Sequence, residues 1–384
     1  MKDTVFQQIL KPLTRKLMNE CVNRFESDRC YNKLKTFNHL KTMIFAHISG
    51  VKSLRSLEVA LNSQKLGTAV KIRRSTLSDA NTKRSSNCFF WILSQLLYLL
   101  PRKVRKDVNK VVRVLDSSPI QLKGLGYDGW AKQNATNRCQ GLKLHAELDL
   151  ALNSPTNIAI SNANYNDSSM GKNWPIVSNT IYVFDKGYYD FNWWWSINEK
   201  KAFFVTRLKR NAAVSVISKK SDPHGDILDD SIIKLKNKCP RGKKINLYTD
   251  NLRQVTVERE GKTPLVLVTN LQNLPAESIA KLYKSRWDVE LFFKWIKQNL
   301  KIKKFLGRSK NSVKIQLATA IISYLLVQIF KISSKNKKDL YLVLVWVRYN
   351  LHIRKNYIKN SRASRCYNNL IKLPIIKEKE DVYL

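Results

Sequence analysis

Acidic residues are scarce in this chain. Only 29 of its 384 residues are Asp or Glu, against 69 Lys or Arg, so the formal net charge is +40. Such a deficit excludes an acidic partner-binding protein and makes a polyanion the expected partner. Nucleic acid and an anionic membrane face both satisfy that. Cysteine gives no framework either. The six residues Cys21, Cys30, Cys88, Cys139, Cys239 and Cys366 form no CxxC pair. A zinc ribbon and a dithiol redox motif are therefore excluded, and the cysteines read as free thiols in a reducing cytosol. The five histidines are scattered and join no Cys/His cluster. The first residues, Met1-Lys2-Asp3-Thr4, lack the pattern of a signal peptide. Uninterrupted apolar runs are short. Phe89–Leu100 cannot cross a bilayer, and Ile315–Phe330 is broken by Gln316, Thr319 and Gln328 and reads as a buried helix. No membrane partner is expected, which leaves nucleic acid.

What is present can bury a core. Hydrophobic residues make up 43% of the chain, and the length suits two or three domains. Residues 1–105 read as a helical domain. Phe37, Leu40, Ile44 and Ile48 fall at helical spacing, Gly50 fits the end of that helix, and Ser53 can cap a second one carrying Leu54, Leu57 and Leu61. A third helix, with Ser75 as its expected cap, is flanked by Arg73, Arg74, Lys83 and Arg84. This is either a helix-turn-helix-like DNA-binding module or a helical bundle with a solvated basic face.

From residue 111 the period changes. Val111–Asp116, Gly141–Leu150, Thr156–Ile160, Ile181–Asp185 and Ala202–Leu208 read as strands of a mixed α/β sheet. Residues 210–263 read as a β-rich insertion with short pieces at Lys244–Tyr248 and Gln254–Glu258. Pro264–Thr269 resumes an apolar strand, and one long helix is expected from Pro275 to Leu300. Residues 331–384 form a basic C-terminal region with 13 Lys/Arg against 4 Asp/Glu.

Chemistry is sought among the rare acids. Asp116 and Asp185 close two β-runs, where a side chain reaches the rim of a sheet. Mg²⁺ takes hard oxygen ligands, commonly one or two carboxylates plus substrate phosphate. Glu290 is the candidate third carboxylate of a two-metal site. At roughly 100° per residue, Tyr283, Arg286, Glu290 and Lys297 share one helical stripe within about a 60° arc. That stripe combines a carboxylate, two cations and an aromatic ring, which suits a phosphate beside an unstacked base. An ordinary i,i+4 Arg–Glu surface pair is the alternative. Trp193-Trp194-Trp195 is a stacking surface or, more simply, packing. His145 reads as a structural histidine near the site. Asp226, Asp229 and Asp230 read as a solvated acidic loop, and Asp167 and Asp190 as loop or capping residues.

The run YKSRWDVELFFKWIK, residues 283–297, matches Y-x2-R-x3-E-x6-K. It resembles the signature of a large family of bacterial insertion-sequence DDE transposases. Phe184-Asp185-Lys186-Gly187-Tyr188-Tyr189-Asp190-Phe191 resembles that family's second-aspartate block, with Lys186 where Arg is commoner. Leu115-Asp116-Ser117-Ser118 resembles the first block. Phe204–Lys209 and Ser75–Asn81 resemble two further segments, so the likeness covers about residues 5–310.

The resemblance implies an RNase H-like mixed sheet with a β-rich insertion, residues 106–330, behind the helical DNA-binding domain. It implies Asp116, Asp185 and Glu290 as catalytic ligands of two Mg²⁺ ions, with Mn²⁺ able to substitute. Tyr283, Arg286, Lys297 and, less directly, Arg207 would contact DNA. The expected activity is cut-and-paste excision and strand transfer on double-stranded DNA, at the element's terminal inverted repeats and at a target. A homodimer on DNA and a bacterial cytoplasmic, nucleoid-associated location follow from the same resemblance. A non-catalytic DNA-binding derivative and an RNase H-like nuclease without strand transfer are the rival expectations.

Overall fold

The computed structural model describes residues 3–29, 31–63, 72–99, 111–124, 126–131, 140–236, 245–300, 302, 304–355 and 357. They fall into two compact units. One is drawn from Met1–Lys103, Ile120–Leu142 and Phe293–Leu384, the other from Val104–Pro119 and Lys143–Phe292.

The first unit is helical. Its helices are α1 (Val5–Leu10), α2 (Arg15–Phe25), α3 (Thr36–Ser49), α4 (Leu54–Ser63), α5 (Arg74–Lys83) and α6 (Asn87–Leu99), joined late in the chain by α11 (Lys310–Ser333) and α12 (Leu340–Asn350). The expected stops hold. Gly50 ends α3 at φ 75°, a left-handed conformation that glycine adopts without a Cβ penalty, and Ser53 accepts the Ser56 amide to open α4. Helix α5 differs slightly. Its cap lies two residues earlier than expected, at Arg73, with no side-chain cap bond, so Ser75 lies inside the first turn. The segment 64–71 between α4 and α5 lies outside the described residues.

Helix α11 is the axis of this unit and packs against α1, α3, α5, α6 and α12. It has the length and apolar character of a membrane span, yet 89% of its most apolar window is buried within the protein. Its polar residues are bonded where they are buried. Gln316 donates to the Lys304 carbonyl at 3.0 Å, and Thr319 and Ser323 donate back to Ile315 and Thr319 at 2.8 and 2.7 Å. This satisfies polar groups that hydrocarbon would penalise, and matches the buried helix expected there. Cys21 and Cys88 are buried free thiols of this unit.

The strands are β1 (Val111–Gln121), β2 (Gly141–Asp149), β3 (Ser154–Asn162), β4 (Thr180–Phe184), β5 (Phe203–Arg207), β6 (Val214–Ser221), β7 (Ile227–Leu235), β8 (Leu252–Val257) and β9 (Leu265–Thr269). They make one nine-stranded sheet in the order β3-β2-β1-β4-β5-β9-β8-β7-β6. β1, β4 and β5 are parallel, and β5 through β9, β8, β7 and β6 are antiparallel. The first five strands carry the RNase H-like arrangement. The expected insertion contributes β6, β7 and β8, which extend that same sheet. Lys244–Tyr248 is not a strand: residues 245–250 are irregular, and Lys244 lies outside the described residues.

Over β4 and β5 lie α7 (Asp167–Asn173) and α8 (Phe191–Glu199). Their aromatic core includes Phe184, Tyr188, Trp193, Trp194 and Phe204, all buried. Trp193 and Trp194 are therefore packing residues. Asp190 caps α8 by accepting the Trp193 amide at 3.0 Å, as a capping aspartate should. The long helix expected from Pro275 is two helices, α9 (Ala276–Lys284) and α10 (Trp287–Asn299). At the joint the Arg286 amide bonds the Tyr283 carbonyl, three residues back instead of four. A single continuous stripe from Tyr283 to Lys297 does not exist on a helix broken in this way.

Candidate active site

Register brings the two aspartates together. β1 and β4 pair in parallel from Val111↔Thr180 to Leu115↔Phe184. Asp116 and Asp185 are the next residue on each chain, so they leave adjacent strands side by side. β1 runs on to Gln121, so Asp116 lies within its strand where a strand end was expected. β4 ends at Phe184, and Asp185 caps a short 3-10 turn, Lys186–Tyr188, accepting the Gly187 amide at 2.7 Å. A Cβ at Gly187 would stand 2.8 Å from Asp185 Oδ1, so that carboxylate would have to shift to admit one.

Glu290, in the first turn of α10, is joined to Asp116 through one residue. Arg286 donates from Nη1 to Asp116 Oδ2 at 3.0 Å and from Nη2 to Glu290 Oε1 at 2.7 Å. The guanidinium is 13% exposed and its Nε–H is buried with no hydrogen-bond partner. The joint between α9 and α10 sets this geometry, since Arg286 sits between the two helices rather than on either.

The electrostatics follow from burial. Removal from water pushes the Asp116 carboxyl up to about 7, and the charges of Asp185 and Glu290 add to that rise, against the Ser117 amide and Arg286, which lower it. Burial also raises Tyr283, whose phenol feels Arg286 and Arg207 as opposing positive charges and Asp185 as a negative one. Arg207 ends the central strand β5, and its charge and those of Arg286 and Asp185 all act on Tyr283 of α9. Six expected site residues, Asp116, Asp185, Glu290, Tyr283, Arg286 and Arg207, thus share one electrostatic neighbourhood.

Lys297 belongs to the helical unit. It lines a cavity of about 410 Å³ with Lys52, Lys304 and Gln298 over an apolar floor that includes Val51 and Leu306. Lys52 and Lys304 escaped the sequence reading because they are far from Lys297 in the chain and lie in no motif.

Among the described residues no three His, Cys, Asp or Glu side chains gather closely enough to hold one ion in this arrangement. The donor set nonetheless suits a divalent cation. All three acids offer hard oxygens, and a cationic guanidinium already bridges two of them. Beside them, His145 is buried, bonded to Ser161 Oγ at 2.8 Å and facing Asp167 at 3.5 Å, a structural role. Lys143 holds the same Asp167 at 3.1 Å.

Several known proteins resemble this chain. The chain is 40% identical over 258 residues to a putative transposase, y4zB, of Sinorhizobium fredii, covering 66% of this chain and 70% of that protein. It is 25% identical over 330 residues to a probable transposase for insertion sequence element IS5377 of Geobacillus stearothermophilus, covering 84% and 83%. In fold it resembles a piggyBac transposase in a synaptic complex with hairpin DNA, with TM-score 0.51 and 10% identity over 98% of this chain and 87% of that one. Residues 1–66 match a domain of unknown function, DUF4372. Residues 108–326, more than half of the chain and the whole of the sheet described above, match the family described as the transposase DDE domain, and the chain belongs to that family.

Proposed function

We propose that this transposase cuts and joins DNA phosphodiesters at the ends of its insertion sequence, with Asp116, Asp185 and Glu290 as its catalytic acids. The observation that carries the proposal is the side-by-side register of Asp116 and Asp185, with Glu290 tied to Asp116 through Arg286. The three carboxylates would hold two divalent cations, Mg²⁺ or Mn²⁺. Those cations, when bound, activate the attacking oxygen and stabilise the leaving one.

The chain's own residues prepare that chemistry. Asp185 is held by the Gly187 amide, so its carboxylate has a fixed direction. Asp116 is partly withdrawn from water, which strengthens its interaction with any cation beside it. Arg286, Arg207 and Tyr283 can receive a phosphate on the same rim, and Arg is suited to bidentate phosphate contact. Lys297, with Lys52 and Lys304, offers a second, wholly cationic set of side chains for the DNA backbone. The helical region 1–105 is the proposed DNA-binding domain, residues 106–330 the catalytic domain and residues 331–384 a basic extension. The working form is a homodimer that pairs the two terminal inverted repeats, in the bacterial cytoplasm at the nucleoid.

The direct test is Mg²⁺-dependent cleavage of DNA carrying the element's ends. Asp116→Asn and Glu290→Gln are expected to abolish cleavage while still binding DNA. Full cleavage by either variant overturns the proposal. A pre-cut 3′-OH end supplied with a target plasmid separates a transposase, which joins them, from a nuclease, which does not.

A further inference from the structure

Arg286 occupies the place where a cation is needed. Its two terminal nitrogens are committed to Asp116 and Glu290, the pair that the proposed function assigns to metal. A guanidinium cannot be deprotonated in a protein, so this bridge offsets one of the pair's two negative charges as long as it stands. Two charge-assisted bonds from one rigid fork also fix both carboxylate directions. A metal that takes the same two oxygens, Asp116 Oδ2 and Glu290 Oε1, must therefore displace Arg286.

The displaced side chain is not indifferent to where it goes. Its Nε–H is buried and unpartnered, so the present arrangement leaves one donor unmet. It projects from the joint between α9 and α10, where the helical hydrogen-bond pattern is already interrupted. The exposed ring of Trp287 lies beside it, with the guanidinium carbon 5.5 Å from the ring centre. A phosphodiester is an acceptor that matches the fork and also offers oxygen to Nε–H. Arg286 can thus trade two carboxylates for one phosphate without losing its charge partner.

We propose that Arg286 is an internal counter-cation that keeps the acidic site closed until a DNA phosphate draws it away, so that metal loading and DNA binding promote one another. The inference rests on the assignment of Asp116 and Glu290 as metal ligands. Coupling of this kind is reciprocal: whatever DNA adds to metal affinity, metal adds to DNA affinity. It also favours loading of the acids in protein that already holds DNA.

The experiment measures Mn²⁺ binding by electron paramagnetic resonance, with no turnover. The full chain is titrated alone and with a pre-cleaved element-end duplex, which has no bond left to cut. For the native protein, DNA is expected to tighten Mn²⁺ binding about tenfold, within the usual range of coupling between two ligands. Arg286→Gln is expected to bind Mn²⁺ without DNA about as tightly as the native protein does with it, and to gain little from DNA. Arg286→Lys, a shorter point charge without the rigid two-pronged fork, is expected to fall between them and serves if the glutamine variant does not fold. Affinity in these variants equal to or weaker than native without DNA overturns the proposal. Asp116→Asn separates the two levels. If it leaves Mn²⁺ binding unchanged, the metal assignment itself fails. If it removes binding while the Arg286 variants match the native protein, the metal site stands and the counter-cation role falls.

Discussion

Arg253 and Asp230 meet fork to fork between neighbouring strands β8 and β7, with Nε–Oδ1 and Nη2–Oδ2 both at 2.7 Å. Each side chain is only 2% exposed. Arg253 Nη1 also donates to the carbonyls of Gln272 and Leu274, which fastens the chain leading into α9. Burial alone would raise the Asp230 carboxyl, but the bonds from Arg253 and Ser221 outweigh it and hold its pKa below the ordinary value. An aspartate expected in a solvated acidic loop is therefore half of a buried ion pair.

Removing one partner of that pair leaves a buried charge uncompensated. Arg253→Met or Asp230→Asn is expected to cost about 3–5 kcal/mol. The measurement is the midpoint of thermal unfolding. A change within the scatter of surface substitutions, about 0.5 kcal/mol, contradicts this account.

His39 predicts an acid-sensitive fold. Its Nε2 bonds Asn81 Oδ1 at 2.8 Å and its Nδ1 faces Arg84 Nη1 at 2.9 Å, so Nε2 carries the proton and Nδ1 accepts. Burial, then the Arg84 charge, lower its pKa to about 3 from 6.5. The unfolded chain therefore binds a proton that the folded chain refuses. Stability present above pH 6.5 is lost as pH falls toward 3, at about 1.4 kcal/mol per pH unit for this residue. His47 and His145, each lowered to about 4 by burial, add to the same trend. Urea midpoints at pH 7 and pH 5 read it out. His39→Asn should flatten the dependence by one proton, and an unchanged slope would rule out this origin.

Gly187→Ala tests the seat of Asp185. The added Cβ would lie 2.8 Å from Asp185 Oδ1, and the yielding atom belongs to the proposed catalytic acid. Displacing such a group by about 1 Å can lower a rate about 10²-fold. DNA cleavage should fall by that order while the thermal midpoint stays near native, because Gly187 is not in the left-handed region. Native cleavage by this variant would show that the position of Asp185 is not critical.

Lys297, Lys52 and Lys304 make a prediction about salt. If each neutralises one phosphate, each alanine substitution lowers the slope of log affinity against log salt by about 0.9. Fluorescence anisotropy with duplex DNA at several salt concentrations measures it. Three unaltered slopes would remove the cavity from the DNA path.

Elements governed by local periodicity were legible from residue order. The strand at Ile181–Asp185, the stop at Gly50 and the buried character of Ile315–Phe330 follow from side-chain alternation, a left-handed glycine and a nearly unbroken apolar surface. The break at Ser285–Arg286 was not legible, because no proline or glycine marks it. The burial of Asp230 was not legible for a similar reason: its partner Arg253 is distant in sequence, and charge alone does not reveal burial. Lys52 and Lys304 carry no local signal of the cavity they share with Lys297.

By itself the sequence determined most of the strands and helices, the charge excess and the identity of the rare acids, since these depend on composition or on neighbours within a few residues. Tertiary structure alone decided how those acids meet. The parallel register of β1 and β4 sets Asp116 beside Asp185, and the joint before α10 turns Arg286 onto Asp116 and Glu290. Pairing across 170 residues of chain depends on strand register and helix packing, and these are settled only when the whole core is buried.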